Sequence, residues 1–188
     1  MDALLLALLL TLALDQGAGT QALAAQIGHG NNRGGPVAGL VLMVAVNAII
    51  AAAMGSAIAA LLIAEARLLF FAIALLLGAF GLFTASLRPR HRPASLPETR
   101  PGRALMTFAL RRAGENGAFA VAGVAALTGT PILAAIGAML GGWASLVPPL
   151  ALGGRYVGSH ILRGVQPVAG LVLLCAGIWC AAGALRLI

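Results

Sequence analysis

Two short stretches of this sequence carry residue types that could do chemistry. Asp15-Gln16-Gly17-Ala18 returns as Glu115-Asn116-Gly117-Ala118, an acid, an amide, a glycine and an alanine in the same order. Each copy sits inside an apolar run long enough to cross a bilayer, where a carboxylate is costly unless it has a partner or a task. Thr20 and Gln21 lie about a turn beyond Asp15. Asp15, Glu115, Thr20, Gln21, Gln16 and Asn116 together form a set of hard oxygen donors, the type that suits calcium, magnesium or manganese. No Cys/His cluster has zinc spacing, and His29, His91 and His160 are predicted in loops. Two carboxylates sharing an empty site repel each other, and low dielectric disfavours their charge. At least one proton is therefore expected to stay until a cation displaces it, which is cation–proton exchange without a separate proton path.

A structural reading stands beside the functional one. Arg111 is four residues before Glu115, on the same helix face, and could simply pair with it. Arg111 and Arg112 could instead snorkel to the membrane edge and leave Glu115 free. Asp15 has no basic residue within two helical turns. Asn47, Ser145 and Thr128 read as hydrogen-bonding residues between helices rather than ligands. Trp143 and Trp179 read as packing or interface residues. Pro148-Pro149, inside an apolar run, is expected to kink it. Cys175 and Cys180 read as small packing residues.

Composition decides what must position these groups. Of 188 residues, 61% are hydrophobic and 9% charged, with a mean hydropathy of +1.00. Soluble domains carry about 25% charged residues, so an all-α integral membrane protein is expected. The net charge of +7 does not point to nucleic acid. Its basic residues, all Arg, lie mostly in loops between apolar runs rather than on one folded face. Met1-Asp2 offers no basic region before the first apolar run, so that run is read as a true span and not a signal peptide.

Six spans are predicted. The first covers residues 2–27 with Asp15 near its midpoint, and the second runs from Pro36 to about 64. Glu65 and Arg67 mark a tight turn before the third, which ends near 86. Residues 87–103, with four prolines and five arginines, form a linker. Spans over about 104–127, 131–152 and 165–187 come next, with a polar loop over 153–164. The chain thus divides into a first three-helix repeat (1–86), an Arg/Pro-rich linker (87–103) and a second three-helix repeat (104–188). An odd number of spans per half forces opposite orientations, so the expected fold is six transmembrane helices as two inverted three-helix repeats. Gly39 and Gly137, and Asn47 and Ser145, occupy comparable positions in the two halves. With the N-terminus outside, Arg33, the linker, Arg155 and Arg163 fall on the cytoplasmic side, and Arg67 and Arg186 outside. A bacterial inner membrane is the expected location.

These residues resemble a known group, the manganese/calcium–proton exchangers of the lysine-exporter superfamily, whose eukaryotic members work in the Golgi. The hallmark of that family, in both halves, is Glu-x-Gly-Asp, then Lys or Arg, then Ser or Thr, often followed by Gln. Asp15, Gly17, Thr20 and Gln21 match the first copy in register, and Glu115 and Gly117 match the second. The segment from Thr130-Pro131 to Gly142 is also similar to the family's segment after its second motif. Ala18 and Ala118 stand where the family has Asp, and Gly19 and Phe119 where it has a base. Four acids become two, and fewer charged ligands weaken divalent binding. The resemblance implies six core helices in two inverted triplets and exchange of Mn2+ or Ca2+ for protons.

Three functions are therefore weighed: a cation–proton exchanger, a transporter of the same architecture for another small solute, and a non-transporting membrane partner that kept the fold. An enzyme is not expected, because no nucleophile–base pair or complete metal set falls at membrane depth. The expected partners are the bilayer, a divalent cation and protons. Small-residue faces permit a homodimer without specifying one.

Overall fold

A computed structural model describes residues 1–15, 19–28, 34–87, 116–153 and 160–186. Among these residues the regular structure is entirely helical. In chain order the helices are α1 (Asp2–Leu14), α2 (Gly19–Ile27), α3 (Gly34–Leu61), α4 (Ala64–Leu87), α5 (Asn116–Thr128), α6 (Pro131–Leu152) and α7 (His160–Ala184). Runs of Ala, Leu and Met sustain them, and lipid-embedded backbone has no partner for its N–H and C=O groups except its own helix. Four helices, α3, α4, α6 and α7, are long and apolar enough to cross a bilayer. The chain is an α-helical membrane protein.

The side chains are arranged for lipid rather than water. On α3 the large residues Leu42, Ile49, Ile50 and Met54 face outward, each more than half exposed. The buried face of the same helix includes Ala48, Ala51, Ala52, Gly55 and Ala59. On α5 the buried residues Ala120, Ala122, Ala125 and Ala126 do the same. Between lipid-exposed helices no hydrophobic driving force remains, so close backbone approach and dispersion hold the bundle, and small residues permit that approach.

Glycines mark the seams. Gly137 and Gly141, one turn apart on α6, rest against the carbonyl oxygens of Leu4 and Leu8 on α1. The register rises together on both chains, so α1 and α6 run parallel. Gly55 on α3 rests in the same way on Ala122 O of α5. Leu76 and Phe83 on α4 meet Gly177 and Gly170 on α7, so those two helices run antiparallel. At one end of that pair Arg186 Nη2 lies 2.8 Å from Glu65 Oε1, joining the start of α4 to the chain just beyond α7. The closest seams therefore join elements from opposite halves of the chain.

Three expectations need correction. The first apolar run is not one uninterrupted helix: α1 ends at Leu14 with Asp15 as its C-cap, and helix is described again from Gly19. Asp15 is itself a poor helix former, and its carboxylate finds a partner across the bundle instead. His160 and Arg163 do not lie in a loop, because α7 already begins at His160. Glu65 and Arg67 lie inside the first turn of α4, and the break between α3 and α4 is at Leu62 and Ile63. The linker from residue 88 onward, and residues 104–115 after it, lie outside the described residues.

Candidate functional site

Asp15 sits where α1 stops, with its N–H still donating to Thr11 O at 2.9 Å. It is 2% exposed. The end of a helix carries partial negative charge, which by itself disfavours a carboxylate there. Other elements offset that cost. Ser145 Oγ, from α6, lies 3.0 Å from Asp15 Oδ2 and can donate to it. A β-carbon built on Gly117 would stand 3.4 Å from Asp15 Oδ1, so α5 passes beside the carboxylate at Gly117.

Thr20 and Gln21, in the first turn of α2, are buried to 1% and 2% exposure. Gln21 Nε2 donates to the backbone oxygen of Ser145 at 3.0 Å. That oxygen needs a donor for a reason written in the sequence. In an α-helix it would accept from the N–H four residues on, and residue 149 is proline. The proline pair thus frees a carbonyl beside the site, and Gln21 occupies it. Gln21→Leu keeps the bulk and withdraws the donor. It is expected to cost about 1–3 kcal/mol, the penalty of an unsatisfied buried carbonyl, read as a lower Tm in detergent.

The hydroxyl of Ser145 has two acceptors and one proton. Its Oγ is 2.7 Å from Gly142 O as well as 3.0 Å from Asp15 Oδ2. Trp143 Nε1 donates to Val41 O at 3.1 Å and ties this part of α6 to α3. Trp143 is therefore a polar link between helices as well as a packing residue.

Of the residues singled out from sequence, the structure buries Asp15, Thr20 and Gln21 and joins Asp15 and Gln21 to one residue, Ser145, with Gly117 against Asp15. Gln16, Gly17 and Glu115 lie outside the described residues, and Asn116 is described as the first residue of α5. Asn47 is half-buried on α3. Ser145 proves to be a partner of the acid itself. Its signal was present but faint, a serine four residues before a proline in an otherwise apolar run. Thr11, one turn before Asp15 and 3% exposed, carried no signal in the sequence beyond that spacing. Among the described residues no three His, Cys, Asp or Glu side chains come together as a metal cluster. The two cysteines, Cys175 and Cys180, are free thiols on α7.

Comparison with protein-family models, with curated proteins and with solved structures finds no match.

Proposed function

We propose that the chain is a secondary transporter that exchanges a cation, Mn2+ or Ca2+, for protons. The observation that supports this most is the burial of Asp15 at a helix interruption, between α6 and the start of α5. A carboxylate kept at that depth, with the Ser145 hydroxyl beside it, is suited to holding a hard cation. In this reading α1 and α2 together make one crossing and residues 104–127 another, so six spans form two inverted three-helix repeats. The seams between opposite halves agree with such an arrangement, because repeat interfaces are where transporters bind their cargo. The N-terminus is outside, the linker is in the cytoplasm of a bacterial cell, and Glu115 supplies the second acid.

The test is flux in proteoliposomes. With Mn2+ or Ca2+ outside and a dye for internal pH, cation entry should drive proton exit, and an imposed pH gradient should drive the cation. A preparation in which neither ion moves, and in which neither disturbs internal pH, argues against the assignment.

One observation favours a second reading. The described donor set holds a single carboxylate among hydroxyls and an amide, with no cluster of three metal-binding side chains. A small polar solute could use such groups as well. Proton flux driven by a solute and by none of the cations would select that reading.

A further inference from the structure

Among the described residues one buried hydroxyl stands without a hydrogen-bond partner. In membrane helices Ser and Thr return their hydroxyl protons to a carbonyl three or four residues back. Ser56, Thr84, Ser86 and Thr128 do so here, at 2.7–2.9 Å. Thr11 does not. Its Oγ1 is buried without a hydrogen-bond partner among the described residues, one turn before Asp15 on the buried side of α1. A buried polar atom left in this way is costly and calls for an explanation, an ion among them.

Ser145 points the same way. Its one proton can point fully at only one of Gly142 O, 2.7 Å away, and Asp15 Oδ2, 3.0 Å away. When it goes to the nearer carbonyl, the lone pairs of Oγ face a carboxylate oxygen. Two such oxygens stay that close when something positive touches both. A cation at roughly 2.3–2.6 Å from each spans an oxygen–oxygen edge of this length.

We propose that the hydroxyls of Thr11 and Ser145 are direct ligands, with the Asp15 carboxylate, of the transported cation on the α1–α6 seam. This rests on the cation-transport reading above and adds two specificity-determining residues to it. Hydroxyl oxygens are neutral, hard and short-armed, so they select for ions that accept oxygen in place of water and give no advantage to soft metals. The parallel seam explains why the two can converge: Gly141 lets α6 lie against Leu8 O, which brings the next turn of each helix to the same level.

Thr11→Val, of nearly the same shape, and Ser145→Ala provide the test, in purified full-length protein. Each is expected to raise the KM for Mn2+ and Ca2+ by about tenfold with little change in maximal rate, the loss of one ligand. Each should also shrink the rise in Tm that these ions produce in detergent. Without ions, Thr11→Val should melt at or above the wild-type Tm, because it removes an unpaired buried hydroxyl. Thr11→Ser, which keeps the oxygen, should restore KM.

Wild-type KM and wild-type ion-induced Tm shifts in both Thr11→Val and Ser145→Ala would overturn the proposal. So would a Thr11→Val protein that is less stable without ions and regains stability as Thr11→Ser with no change in KM, since the hydroxyl would then be structural. Flux lost in Asp15→Asn alongside those results would leave the transport reading standing. Wild-type flux in Asp15→Asn would remove that reading itself.

Discussion

Asp15→Asn is expected to lower cation flux by about a hundredfold or more while the fold survives. The amide matches the carboxyl in shape, and its oxygen can still accept the Ser145 hydroxyl now 3.0 Å away. Stability should therefore change by no more than about 1 kcal/mol, the size of one neutral hydrogen bond. What disappears is a group able to balance the charge of a bound cation, at a site buried to 2% exposure. Removing one member of a buried charge pair costs about 3–5 kcal/mol, and a hundredfold corresponds to about 2.7 kcal/mol. Electrostatics outweighs packing here by a wide margin. Glu115→Gln is expected to act alike if the second acid shares the site. Both variants should be compared with wild type in the same proteoliposome assay, with Tm in detergent as the control for folding. Flux undiminished in Asp15→Asn would sink the assignment of this residue.

The second large effect concerns the seam. Gly137→Ala should destabilise the protein, although alanine is the better helix former. The added methyl group would meet Leu4 O, a backbone atom that cannot rotate away, and the two helices would have to separate. Alanine gains about 0.5–1 kcal/mol over glycine within a helix, while overpacking costs typically 1–3 kcal/mol and more against rigid backbone. A net loss of about 2 kcal/mol is expected, and Gly55→Ala, facing Ala122 O, should match it. Gly164 supplies the opposite sign. A β-carbon there meets nothing within 4 Å, so Gly164→Ala should gain the full helix-propensity term. Thermal melting of the three variants in one detergent separates the cases. A Gly137→Ala protein as stable as Gly164→Ala would mean that α1 and α6 are not in contact along this line.

The Gly137 effect should also reach function. Gly141 lies one turn further along α6 and Ser145 one turn beyond that, so the spacing that admits α1 also aligns Ser145 with Asp15. A seam pushed apart at Gly137 is expected to loosen the site two turns away. The same stripe of small residues packs the seam and sets the level of the proposed site.

Much of this was legible in the sequence because lipid imposes simple rules. Hydropathy alone identifies a helical membrane protein, since helices are the structures that satisfy their backbone within one apolar run. The ends of α6 at Pro131 and Leu152 accord with Thr128-Gly129-Thr130-Pro131 on one side and Gly153 on the other. The isolation of Asp15 in an apolar stretch singled it out, and the structure buries it beside Ser145. Boundaries set by polar residues rather than hydropathy, at His160 and at Glu65, were misplaced, because charged residues at a membrane edge extend helices as readily as they end them.

The tertiary structure decided the rest. In a chain with 25 glycines and many alanines, most helix faces look alike, so no pattern says which glycine meets which backbone. That Ser145 reaches Asp15, that Gln21 serves the carbonyl freed by Pro149, and that Thr11 keeps a hydroxyl unpaired among the described residues are outcomes of helix register. Register is fixed by atomic fit between small residues across more than a hundred positions of sequence. Composition can say that a helix lies in lipid, but it carries no information about the face that another helix will choose.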